Sequence, residues 1–146
     1  MDFESSVKAG YARVIVKNKN RAKSLVKSAE QAIETAKLIP LKENSLKSVL
    51  RELYEGLRQY CEAIGFVKGY KFESHEVVTY FLRDVLKEDK ISGKFDRYRK
   101  LRHGVNYYGN EIDVSTVKDV LAEVPEMLNI LKKHLEKDEG VRDGPG

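Results

Sequence analysis

Leu46-Lys-Ser-Val-Leu-Arg-Glu-Leu-Tyr-Glu-Gly-Leu-Arg-Gln-Tyr-Cys-Glu-Ala-Ile-Gly-Phe-Val-Lys-Gly69 decides how the rest of the chain is read. Leu46, Val49, Leu50, Leu53, Leu57, Tyr60, Cys61, Ile64 and Val67 recur at intervals of three and four, the spacing of a helix with one buried stripe. Asn44 or Ser45 can cap its start, and Gly69 ends it. Gly56 and Gly65 fall inside the pattern, where they weaken the helix slightly or permit another helix to approach closely. Cys61 lies on the stripe, so a packed core thiol is expected there.

The same periodicity extends to either side. A first helical region runs from about Asp2 to Leu38, with Val7, Tyr11, Val14, Leu25, Ala29, Ala32, Ala36 and Ile39 as core candidates. Asn18-Lys-Asn20 marks a break or bend, and Pro40 ends the region because proline clashes with a continuing helix. Ser74 reads as the cap of a third helix that buries Val77, Val78, Phe81, Leu82, Val85 and Leu86. Ser92-Gly93 opens a fourth, which stops near Gly109. Asp113 or Ser115 starts a fifth, with Val117, Val120, Leu121, Val124, Leu128, Leu131 and Leu135 on one face and Pro125 as a kink or local break. No strand pattern competes. The expected fold is all-α, an up-and-down bundle of about five helices, in a single domain over 1–139 with a frayed tail over 140–146.

Length and composition agree with this reading. The chain has 146 residues, 41% hydrophobic and 34% charged, with three prolines and no tryptophan. That is long enough to bury roughly two-thirds of the unfolded surface without covalent staples. One cysteine excludes an internal disulfide and a thiolate zinc cluster. With no apolar run of roughly 20 residues and no basic-then-apolar start at Met1-Asp2-Phe3-Glu4, a cytoplasmic setting is expected. The net charge of +4 is permissive for a nucleic-acid partner, and it is unevenly spread. Lys8, Arg13, Lys17, Lys19, Arg21, Lys23 and Lys27 form an acid-free run, read first as a solvated helix face.

The chemistry-bearing stretch is Arg97-Tyr-Arg-Lys-Leu-Arg-His-Gly-Val-Asn-Tyr-Tyr-Gly109. At 100° per residue, Arg99, Arg102, His103, Asn106 and Tyr107 share one side of a helix, and Tyr98, Leu101, Val105 and Tyr108 share the other. The second set is expected in the core. The first can face water, a partner chain or a phosphate. Ser74-His75-Glu76 contains a serine, a histidine and an acid, but neighbours at a helix start point in different directions. A cap with a carboxylate near the positive helix end accounts for them better than a relay. Glu52, Glu55 and Glu62 have no metal-ligand spacing with a histidine, so no metal site and no cofactor are expected.

In order and in parts, these segments resemble the HEPN family, helical bundles named for higher eukaryotes and prokaryotes nucleotide binding. The resemblance covers roughly residues 44 to 137. It rests on the long helix ending at Gly69, on Gly69-Tyr-Lys-Phe-Glu-Ser-His-Glu76, on a short helix through Phe81-Leu82, and on Tyr98-Arg-Lys-Leu-Arg-His-Gly-Val-Asn-Tyr-Tyr-Gly109. The last segment is similar to archaeal-type members with a Tyr-Tyr-Gly ending.

The resemblance implies a metal-independent endoribonuclease of a toxin-antitoxin or defence type. Active members carry an arginine, usually a polar residue after it, then four to six positions and a histidine, and two such motifs meet across a homodimer. The arginine neutralises the scissile phosphate, and the histidine moves protons as the ribose 2′-hydroxyl attacks. Here Arg102 takes the arginine position, His103 follows it, and Tyr107 occupies the place of the histidine. Tyrosine, which ordinarily ionises at about pH 10, is a poor proton shuttle. Arg97 and His103 also satisfy the bare spacing, but they fall about 120° apart around a helix. The catalytic candidates are therefore Arg102 and His103, with Arg97, Arg99, Asn106 and Tyr107 as nucleic-acid contacts in a degenerate motif. The alternative is a non-catalytic interaction module that pairs with a small nucleotidyltransferase, an enzyme class that in some relatives adenylylates a tyrosine near the motif.

Overall fold

The computed structural model describes residues 1–143, with side chains described through Glu136. The expected tail over 140–146 falls outside the described side chains. The described residues form an all-α bundle of six helices with one two-stranded sheet: α1 (Phe3–Lys8), β1 (Ala12–Val14), α2 (Lys19–Leu38), α3 (Leu46–Lys68), β2 (Tyr70–Phe72), α4 (Glu76–Tyr80), a π-helical turn (Phe81–Val85), α5 (Asp89–Tyr107) and α6 (Val114–Asp143). Among the described residues no helix is long and apolar enough to cross a membrane.

α3 is the axis, packed against α2, α5 and α6. Its stripe is wider than the spacing suggested, because Tyr54, Ala63 and the two glycines are buried as well. The glycines serve close approach. A Cβ on Gly56 would lie 2.6 Å from Ile33 Cδ1 and 3.1 Å from the Ala29 carbonyl oxygen, and one on Gly65 would lie 2.8 Å from Phe72 Cζ. Gly69 closes α3 in the left-handed region at φ +92°. Cys61 is fully buried, and that burial pushes its thiol up to about 12. Iodoacetamide at pH 8 should therefore leave native Cys61 unmodified and alkylate it fully in denaturant, as read by intact mass. Fast labelling of the native protein would contradict the packing.

The first helical region is not continuous. Asp2 caps α1 by accepting from the Ser5 amide at 2.7 Å, and Gly10 at φ +86° turns the chain away. β1 then pairs antiparallel with β2, Ala12 opposite Phe72 and Val14 opposite Tyr70. Beyond β1, the Ile15 amide donates to the Gly69 carbonyl at 2.8 Å. Val14 and Tyr11, expected in the core, are exposed, Val14 by 72%. β-branched Val14, Ile15 and Val16 favour extended backbone, and α2 restarts where the Asn18 side chain accepts from the Arg21 amide.

The third helix begins as expected, with Ser74 Oγ accepting from the Val77 amide at 3.3 Å. It then widens into the π turn, where the Leu86 amide reaches the Phe81 carbonyl at 3.1 Å. α5 starts at Asp89, ahead of Ser92-Gly93. Ser92 is already helical, its amide bonded to Glu88, while its buried hydroxyl donates to the Thr79 carbonyl at 2.7 Å. Asp113, rather than Ser115, caps α6 by accepting from the Thr116 amide. Pro125 lies inside α6 without ending it.

Candidate functional site

α5 carries most of the candidate residues, and its buried side anchors them. Phe95, Tyr98 and Val105 are buried and Leu101 is half-buried. The Tyr98 hydroxyl donates to Glu123 and ties α5 to α6. Burial and that carboxylate raise the phenol above its ordinary range.

Tyr108 departs from expectation. It is 73% exposed, because α5 ends at Tyr107 and the helical projection no longer applies beyond it. Gly109 adopts φ +64°, and the chain folds back so that the Asn110 amide meets the Gly104 carbonyl at 3.1 Å. Gly104 makes room for this return, since a Cβ there would lie 2.6 Å from Asn110 Nδ2.

The six candidates fall into three environments. Arg99 is committed to Asp96 at 2.7 Å, which also takes Lys100 at 2.9 Å. Arg102 is half-buried and rests its guanidinium 5.6 Å from the centre of the Tyr54 ring, with no carboxylate partner among the described residues. His103, Asn106 and Tyr107 are exposed at the end of the helix, and Arg97 is exposed on an earlier turn. The His103 ring lies 4.7 Å from Tyr107 and 5.6 Å from Tyr108. Asn106 accepts a hydrogen bond at 2.7 Å from Arg51 Nε of α3. Neighbours in sequence, Arg102 and His103 therefore meet different surroundings: one leans onto the core and the other joins an aromatic cluster in solvent.

Ser74, His75 and Glu76 do point in three directions. Ser74 caps, and Glu76 accepts from the Tyr80 hydroxyl at 2.6 Å. His75 Nδ1 lies 2.9 Å from the hydroxyl of fully buried Tyr54. Sequence reasoning passed over Arg51, Tyr54 and this role of His75. Tyr54 had a signal, since it lies four residues after Leu50 and three before Leu57 and so flanks the stripe. Around this pair, Arg58 is engaged by Glu55 and Glu62 on its own helix.

Burial and the positive charges of Arg58, Arg102 and Arg99 lower the pKa of His75, against the opposing effect of Glu55. The unfolded chain, with an ordinary histidine value of 6.5, then binds a proton before the folded one does. This contribution is neutral to stability above that pH and becomes destabilising as pH falls below it. His75→Gln should flatten the part of the urea-midpoint profile lying below about pH 6.5. An identical acid limb in the variant would show that His75 is not the group responsible.

The fold defines a helical bundle with a small sheet packed against α1 and α3, and the site defines a helix terminus where cations and exposed aromatic rings meet. No model of a known protein family matches the chain, and no curated protein matches it.

Proposed function

We propose that this is an RNA-associated helical bundle of HEPN type, which binds single-stranded RNA along the exposed end of α5 and acts as a homodimer. One observation carries the reading: Tyr107 and Tyr108, 67% and 73% exposed, cluster with His103 at a helix end flanked by Arg51 and Asn106. Exposed rings stack on unpaired bases, and cations follow the phosphate backbone. Arg102 and Arg97 form no close ion pair among the described residues, so their donors are open to phosphate, although the Arg97 charge also acts on Glu123. Arg99 contributes less, its charge being met by Asp96.

Under this reading the reaction is metal-independent transesterification. Arg102 holds the phosphate, the 2′-oxygen attacks phosphorus, the bond to the 5′-oxygen breaks, and His103 carries the proton. Tyr107 at the usual histidine position makes the activity weak, in keeping with a toxin-antitoxin or defence component. The test is binding and cleavage of RNA by purified protein in EDTA, beside Arg102→Ala and His103→Ala. Expected are 2′,3′-cyclic phosphate ends that vanish in both variants, and binding that falls with salt and with Arg102→Ala. Absence of RNA binding at low and moderate salt overturns the reading.

The exposure of the Tyr107 and Tyr108 hydroxyls also favours the non-catalytic alternative, pairing with a small nucleotidyltransferase that modifies one of them. Binding without cleavage, together with an adenylyl mass gain on Tyr107 or Tyr108, would select it.

A further inference from the structure

His75 is unlike the other two histidines. His103 is exposed, and His134 is paired with Glu88 Oε2 at 2.7 Å. His75 is half-buried, and Nδ1 meets a hydroxyl that is wholly out of water. A buried hydroxyl requires an acceptor for its proton, and among the described residues the only partner of the Tyr54 oxygen is His75 Nδ1. Tyr54 therefore donates, and the single proton of the neutral imidazole resides on Nε2. That nitrogen has no partner among the described residues, yet it is not one of the buried atoms left unsatisfied. It is a fixed donor within reach of solvent.

Arg102 leans on the same Tyr54 ring. Of the three guanidiniums acting on His75, Arg58 and Arg99 are met by carboxylates, leaving the uncompensated charge on Arg102. A planar fork of donors over the Tyr54 ring and an imidazole held at the Tyr54 hydroxyl are thus anchored on one side chain, with no acceptor supplied to either among the described residues. An anion presenting several oxygens matches that arrangement.

We propose that Arg102 and the Nε2–H of His75 form a phosphate-oxygen site, with buried Tyr54 a positioning residue that holds the guanidinium on its ring and sets the imidazole tautomer. Identifying the phosphate as that of an RNA backbone rests on the RNA reading above; the site itself does not.

The test is two-dimensional NMR of the imidazole nitrogens in the uniformly labelled full chain, titrated with inorganic phosphate and separately with an oligouridylate lacking terminal phosphates. Expected are a protonated Nε2 on His75 before addition and a saturable shift of that resonance with either probe. Arg102→Gln should abolish the shift. Tyr54→Phe, which keeps the ring, should weaken phosphate binding about fivefold and mix the tautomers. Movement with inorganic phosphate alone upholds the site and assigns it to free phosphate, against the RNA reading. Movement of His103 with the oligouridylate while His75 stays still leaves the RNA reading standing and overturns this site. A proton on Nδ1 at the start overturns it as well.

Discussion

Phe81→Ala is expected to remove about 3–5 kcal/mol of folding stability, a large share of the roughly 5–15 kcal/mol available to a domain. Phe81 is fully buried at the start of the π turn. Its ring centre lies 5.5 Å from Phe3, 6.1 Å from Tyr70 and 4.9 Å from Phe72. One side chain thus holds α1 and β2 onto the bundle. The backbone around it is not free to collapse into the space, because Asp84 in the same turn accepts the Phe3 amide at 2.8 Å and pins α1 in place. Urea unfolding measures the effect as a shifted midpoint. Tyr11→Ala, on a half-exposed ring nearby, is the control and should move stability by no more than about 0.5 kcal/mol. A loss below about 1 kcal/mol for Phe81→Ala would show that α1 and the sheet are not packed as described.

The second large effect concerns recognition. Replacing Tyr107 and Tyr108 together with alanine should weaken binding of single-stranded RNA at least about thirtyfold, since stacking contributes ~1–3 kcal/mol per base. Both rings are exposed, so the double variant should unfold within about 0.5 kcal/mol of the wild type. The salt dependence separates the two kinds of contact. Losing rings should leave the slope of affinity against salt unchanged, whereas Arg97→Ala should reduce it by about one counterion. Tyr→Phe at both positions should retain most of the affinity, because the π face and not the hydroxyl does the stacking. Unchanged affinity in the double alanine variant would falsify the stacking surface.

These two experiments probe parts of the molecule that were unequally legible in the chain. α3 could be read almost residue by residue, because its stripe repeats over six turns and depends only on local helix geometry. The end of α2 before Pro40 and the cap at Ser74 were legible for the same reason, since such signals act over a few residues. The start of α2 showed only as a break at Asn18-Lys-Asn20, and Asp113 only as one of two candidate caps. Phe81 was correctly placed in the core, yet nothing local indicated that it would meet Phe3 and Phe72. β1 was missed because a three-residue strand has no period of its own. Its hydrogen bonds come from β2, far along the chain, and the adjoining helical spacing of Val7, Tyr11 and Val14 argued for the wrong element.

At the candidate site the division is similar. The sequence alone determined an all-α bundle and a helix that places Arg102, His103, Asn106 and Tyr107 near its end, since helix period and capping are local properties. Tertiary structure decided the rest. It turned Tyr108 into solvent by ending α5 one residue earlier, through the return of Asn110 onto Gly104. It neutralised Arg99 on Asp96, set Arg102 onto Tyr54 and brought His75 to the same hydroxyl. The contacts to Tyr54 join three separate segments, and no spacing within one segment encodes which side chains meet when helices pack. The Asp96 pair was encoded locally, three residues from Arg99, but only the packed helix shows that the carboxylate is held there, half-buried, rather than lost to water.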